Sequence, residues 1–142
     1  MAVCALDHIV LDVADVERSL EFYQRILGLP AERVEAWRSH EVGFPSLRIS
    51  PSTIIDLVSS GESSESPRTN LNHFCLVTDS PDLDEAIQRL DDAGVPVETG
   101  PATRSGARGN ALSIYFRDPD RNLIELRTYA GQPDQSPPIV VA

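Results

Sequence analysis

The sequence predicts an α+β fold made of one βαβββ module used twice, and three observations lead there. Leu6-Asp7-His8-Ile9-Val10-Leu11 returns as Leu71-Asn72-His73-Phe74-Cys75-Leu76. Each run opens a strand and is followed by an amphipathic helix that ends in glycine. Each copy then closes on an apolar strand with one embedded carboxylate, Asp56 in Thr53-Ile54-Ile55-Asp56-Leu57-Val58 and Glu125 in Asn122-Leu123-Ile124-Glu125-Leu126-Arg127. Between the copies, Gly61-Glu62-Ser63-Ser64-Glu65-Ser66-Pro67 is small, polar and aperiodic, which reads as a linker. The expected organisation is a module over 5–60, a linker over 61–70, a module over 71–130 and a loose tail over 131–142. A chain of 142 residues is the size of one ordinary domain.

In the first copy, Ile9, Leu11 and Val13 alternate with Leu6, His8 and Val10, so His8 points away from the face that a helix would cover. That helix is predicted over 15–27, with Asp15 as N-cap, Val16, Leu20, Tyr23 and Leu27 at helical spacing, and Gly28 at its end. Three strands are expected around 32–39, 41–49 and 53–59, separated by turns at Phe44-Pro45 and Ser50-Pro51-Ser52. In the second copy a strand over 72–78 leads to a helix starting at Ser80-Pro81, with Leu83, Ala86, Ile87 and Leu90 as its buried stripe and Gly94 closing it. Pro96 follows Gly94 at the same interval as Pro30 follows Gly28, which strengthens the case for duplication. Strands over 111–117 and 122–129 pair through Asp118-Pro119-Asp120-Arg121, after a short strand near 97–99. Ser105-Gly106-Ala107-Arg108-Gly109 reads as a mobile lip over a pocket.

Composition excludes several classes of function. At 41% hydrophobic and 24% charged residues this is the make-up of a soluble globular protein. No apolar run approaches the roughly 20 residues that span a bilayer. Met1-Ala2-Val3-Cys4-Ala5 has no basic region and runs into the first strand, so no secretory signal is read and a cytoplasmic location is expected. Cys4 and Cys75 make neither a disulfide framework nor a zinc-ribbon spacing. A net charge of −10 opposes binding to a nucleic-acid backbone. The Ser105–Gly109 segment lacks the Lys-Ser/Thr end of a phosphate-binding loop, which excludes nucleotide binding by that motif.

Two histidines and two carboxylates, one pair per copy, form a metal-ligand pattern. Glu125 sits within Leu-Ile-Glu-Leu, where an unpaired buried carboxylate would be costly. His40 follows Ser39 at a predicted turn and reads as a solvated loop residue. Arg48, Arg104 and Arg108 are candidates to bind an anionic substrate group by bidentate hydrogen bonds, and Tyr115, expected on the strand next to that of Glu125, is a candidate to line the same cavity. Cys75 lies two residues after His73, on the same strand face.

Leu6-Asp7-His8-Ile9-Val10, Phe22-Tyr23 with Leu27-Gly28, Asn72-His73-Phe74 and the stretch from Ser113 to Glu125 carry a resemblance across roughly residues 5–129. The chain resembles the vicinal oxygen chelate superfamily. That superfamily includes glyoxalase I, extradiol ring-cleaving dioxygenases, fosfomycin-resistance thiol transferases, methylmalonyl-CoA epimerases and metal-free bleomycin-binding proteins. With Gly100-Pro101 and Ser105–Gly109, the last segment looks most like glyoxalase domain-containing proteins of the virulence-protein and glyoxalase-domain-5 type.

The resemblance implies curved mixed sheets around a metal-containing cleft, a small-molecule substrate and a homodimer. It makes His8, His73 and Glu125 ligands of a divalent ion (Fe, Ni, Mn, Co or Zn). Asp56 falls at a fourth position, as a ligand or as a general base; if it ligates, Glu125 or a water takes the proton. Two features depart from the pattern: Asp56 is one methylene shorter than the glutamate of glyoxalase I, and Arg121 stands where the family often has glycine. The implied function is a metal-dependent lyase or dioxygenase acting on neighbouring substrate oxygens. The opposing reading is a metal-free sequestering protein of the bleomycin-resistance type, a branch expected to have lost the ligands.

Overall fold

The computed structural model describes residues 1–60, 70–117 and 122–136. The linker at 61–67, the hairpin turn at 118–121 and Ile139-Val140-Val141 fall outside the described residues. The elements run β1 (Val3–Val13), α1 (Val16–Leu27), β2 (Ala31–Glu32), α2 (Val34–Arg38), β3 (Ser46–Ser50) and β4 (Thr53–Ser59) in the first half. The second half has β5 (Leu71–Thr78), α3 (Asp84–Asp92), β6 (Thr99–Arg104), β7 (Ala111–Arg117) and β8 (Leu123–Thr128). No helix among the described residues is long and apolar enough to cross a membrane.

All eight strands join one sheet in the order β2-β3-β4-β1-β5-β8-β7-β6. The order is the same read outward from the centre in either direction. β1 pairs antiparallel with β5, and each is flanked by the last strand of its own half, β4 and β8, in parallel. The two copies of the repeated segment therefore lie side by side, with Val10 opposite His73 and His8 opposite Cys75.

Each half has its own core. The Asp15 carboxylate accepts from the Arg18 N–H at 3.0 Å, and Gly28 ends α1 at φ 68°, a left-handed conformation that glycine adopts without strain. Between these caps Val16 and Leu20 bury against Leu47 and Leu57. In the second half Leu83 and Ala86 pack on Ile114 and Leu126. Each large side chain so buried contributes about 1.5–3 kcal/mol.

Four elements differ from the sequence-based expectation, the simplest being the strand expected over 41–49, which begins only at Ser46 as β3. The strand expected over 32–39 is two residues of β2 followed by α2. Val34 and Trp37, one helical turn apart, both join the first core, and Arg38 bridges Glu17 of α1 at 2.8 Å and Glu35 at 2.7 Å. α3 begins at Asp84 and not at Ser80, because Ser80 is tied to the sheet: its N–H donates to Thr78 Oγ1 at 3.2 Å and its carbonyl accepts from Thr128 Oγ1 at 2.6 Å. The short strand near 97–99 is the longer β6, which takes up residues expected in the run toward the lip.

Candidate metal centre

The site begins with two irregularities in the central β1–β5 ladder. Leu6 faces Leu76 but His8 faces Cys75, so Asp7 is an extra residue; Val10 faces His73 but Leu11 faces Leu71, so Asn72 is another. Such bulges re-aim side chains locally. Here each extra residue turns onto the histidine after it, with His8 Nδ1 at 2.6 Å from Asp7 Oδ1 and His73 Nδ1 at 2.7 Å from Asn72 Oδ1. Both Nδ1 atoms are thereby engaged, and both Nε2 atoms point the same way.

Glu125 meets them from β8, which runs parallel beside β5 and sets Glu125 opposite Cys75. Its Oε2 lies 3.1 Å from His8 Nε2 and 3.1 Å from His73 Nε2. The donor atoms of His8, His73 and Glu125 lie within 4.8 Å of one another. Burial alone would push the His8 imidazole down, but Asp7, Cys75 and Glu125 raise it. Burial likewise pushes the Glu125 carboxyl up, and the hydrogen bonds from His73 and His8 with the Arg127 charge overcome it and hold the group ionised. Two imidazole nitrogens and a carboxylate oxygen facing one point fit a divalent cation.

A buried network supports these three side chains. Arg127, 0% exposed, donates from Nη2 to Glu125 Oε1 at 2.6 Å and to the Ser105 carbonyl at 2.7 Å, and from Nη1 to Tyr129 Oη at 3.1 Å. The Tyr129 hydroxyl in turn donates to Asp7 Oδ2, and the Ala107 N–H donates to Asp7 Oδ1 at 2.9 Å. Cys75 is buried in the same small group as Asp7 and His8, and burial pushes its thiol up to about 11.

A cavity of about 230 Å³ opens beside His73 and Glu125. Val10, Val58 and Phe44 give it apolar walls, while Asp56, Arg104 and Tyr115 give it polar ones. Asp56 stands outside the three-residue convergence; its Oδ1 accepts from Ser46 Oγ at 2.5 Å, and burial raises its carboxyl. The Tyr115 ring meets His73 edge-on at 5.7 Å, and burial with the Glu125 charge raises its hydroxyl.

Two of the arginines expected at the substrate lie elsewhere. Arg48 is buried in a bidentate pair with Glu32 at 2.6 and 3.0 Å and donates to the carbonyls of Ser50, Pro51 and Ala107. It is a clamp within the fold and does not line the cavity. Arg108 stacks 4.1 Å over the Tyr129 ring, behind the site. The lip expected at 105–109 is a fixed strap: Ala107 is 1% exposed, and Asp7, Arg48 and Arg127 each hold a backbone group within it. His40 is exposed, as expected of a turn residue.

Sequence reasoning missed Asp7, Asn72, Arg127 and Tyr129. A signal existed for all four. Asp7 and Asn72 precede the histidine in both copies, and Glu125, Arg127 and Tyr129 recur at the two-residue period of a strand.

The family described as Glyoxalase/Bleomycin resistance protein/Dioxygenase superfamily matches residues 5–126. Virulence protein STM3117 of Salmonella typhimurium is 29% identical over 130 residues, covering 91% of this chain and 87% of its own length. Glyoxalase domain-containing protein RDO1 of Mycosarcoma maydis is 32% identical over 133 residues, covering 91% of this chain and 70% of its own. The solved Mn(II)-bound glyoxalase of Novosphingobium aromaticivorans has a TM-score of 0.71 at 17% identity, over 98% of this chain and 42% of that one, a likeness of fold. Because the match runs from the strand of the first histidine to the strand of the last carboxylate, this chain belongs to the Glyoxalase/Bleomycin resistance protein/Dioxygenase superfamily.

Proposed function

We propose that the chain is a metal-dependent enzyme acting on a small substrate with two neighbouring oxygens, by lactoylglutathione-lyase-like or extradiol-dioxygenase-like chemistry. The convergence of His8 Nε2, His73 Nε2 and Glu125 Oε2 supports this reading most directly. Packing alone gives no reason to aim two imidazoles and a carboxylate at one point, where desolvation of each is costly. A divalent ion held by these three residues would polarise the substrate oxygens as a Lewis acid.

The other residues take roles that follow from their contacts. Asp7 and Asn72 fix the ring orientation of the two histidines, and Arg127 occupies Glu125 Oε1 so that Oε2 faces the ring nitrogens. Asp56 is the proton carrier: it lines the cavity, it stands apart from the ligand group, and burial shifts it toward the range where a carboxylate works as a base. Ser46 holds that carboxylate in place, and Val10, Val58 and Phe44 keep water from the reacting oxygens.

The test is metal content after purification without chelator, followed by reloading of stripped protein with Fe(II), Ni(II), Mn(II) and Zn(II). Near-stoichiometric metal, lost in folded His8→Ala and His73→Ala variants, is the expected result. Unchanged metal in His73→Ala would remove the reading. No metal under any condition would turn attention to a metal-free sequestering protein.

A further inference from the structure

We infer that the substrate is a small carboxylate and that Arg33 and Arg104 bind its anionic end, one from each half of the chain; this rests on the metal-dependent reading above. Phe44 of the first half and Tyr115 of the second both line the cavity. Each has a guanidinium on its ring: Arg33 lies 5.0 Å over Phe44 and Arg104 lies 5.9 Å over Tyr115. A guanidinium beside an aromatic ring, with no carboxylate on it, has N–H groups left to make a bidentate bond to an oxyanion.

Among the described residues neither arginine has an acidic partner, a property shared with Arg18 and Arg108, which do not line the cavity. The chain has 22 acidic residues against 12 basic ones, and Arg38, Arg48, Arg89, Arg117 and Arg127 are all paired with carboxylates. Among the described residues, Arg33 and Arg104 have no such pair, and Arg104 donates only to the carbonyl of Thr103, at 3.0 Å. Arg33 also holds φ at 64°, a region costly for a residue with a side chain and one that recurs at ligand-binding positions.

The cavity is polarised as a result. Glu125, Asp56 and Arg104 line it, and Arg33, outside that lining, lies 5.0 Å from the Phe44 ring. A substrate that offers two neighbouring oxygens inward and an anion outward matches both ends.

The test uses two hydroxamates with the same chelating head and nearly the same size, succinohydroxamate and its terminal carboxamide. Binding to the Ni(II)- or Mn(II)-loaded chain is measured by isothermal titration calorimetry. The carboxylate probe is expected to bind at least about 10-fold more tightly at low salt, the value of one charged hydrogen bond. That gap should close in Arg33→Gln/Arg104→Gln and shrink as salt screens the charge. Arg104 is exposed, so Arg104→Gln alone serves if the double variant unfolds. Equal affinities for the two probes would overturn the anionic substrate and leave the metal reading standing. Binding of neither probe to metal-loaded protein would also overturn it, and failure to load metal would overturn both.

Discussion

Asp7 and Asn72 hold the same place in the two copies of the repeat: each is the unpaired residue of a bulge in the β1–β5 ladder, and each accepts a hydrogen bond from Nδ1 of the histidine that follows it. They differ in charge. Asp7 is an ionised carboxylate fixed by Tyr129 and the Ala107 N–H, whereas the Asn72 amide is neutral and is oriented by its own donation to Asp12 at 3.1 Å. A carboxylate partner makes an imidazole a stronger ligand than an amide does. Asp7→Asn is therefore expected to weaken metal binding by about 10–100-fold. Asn72→Ala should have a smaller effect. Competition against a chelating dye reads both, and a larger loss in Asn72→Ala would reverse the assigned roles.

Arg127 is the buried cation on which the network converges, since it bridges Glu125, Tyr129 and the Ser105 carbonyl. Removing one member of a buried pair leaves the other charge unsatisfied, at a cost of about 3–5 kcal/mol. Arg127→Met is expected to lose that much in urea unfolding of chelator-treated protein. Adding Glu125→Gln should restore part of it, because the stranded charge is then gone. A single variant within about 1 kcal/mol of the parent would contradict the pairing.

The strap at 105–109 depends on a small residue at Gly106. A Cβ there would come within 2.5 Å of the Arg127 guanidinium carbon and 2.6 Å of the Tyr129 hydroxyl, both held by hydrogen bonds. Gly106→Ala should destabilise the chain by about 1–3 kcal/mol and weaken metal binding along with it. Gly43→Ala meets nothing within 4 Å and is the control expected to change neither. Thermal melts with and without metal separate the two, and a neutral Gly106→Ala would mean that the strap moves freely.

The repeat made most of the architecture legible, because a two-residue period and a helical period alternate clearly over long segments. At 34–38 the segment is too short for that: Val34 and Ala36 suit a strand, Val34 and Trp37 suit a helix, and five residues do not separate the two periods. The contacts that separate them are non-local: Val34 and Trp37 pack on the core of Leu20 and Leu47, and Arg38 pairs with Glu17 from 21 residues away. The candidate ligand set could be picked out for the same reason as the fold, since each histidine recurs at an equivalent place. The surrounding network was not. Asp7 finds its partners 100 and 122 residues along the chain, and Arg127 on an alternating strand reads as a solvent-facing residue until the strap covers it. Arg48 misled in the opposite sense, as a candidate for substrate that Glu32 had already engaged.

Asp56 joins the stability of the fold to the proposed chemistry. Its carboxyl is raised above the ordinary value chiefly by burial, which outweighs the lowering effects of the His8 charge and the Ser46 hydroxyl. Ionising it thus costs more in the folded chain than in the unfolded one. Well below the unfolded pKa of about 3.9, both states keep the proton and Asp56 has no effect on stability. As pH rises past that value the unfolded chain ionises first, stability falls, and the deficit is complete above the folded-state pKa. Asparagine keeps an acceptor for Ser46 and carries no charge. In chelator-treated protein, Asp56→Asn should therefore be more stable than the parent at pH 7, with the difference vanishing toward pH 3, as read by denaturant unfolding at both. The same variant should retain metal and lose turnover if Asp56 carries the proton. Equal stability at pH 7 would show that the carboxylate is better solvated than its burial implies, and loss of metal would make Asp56 a ligand.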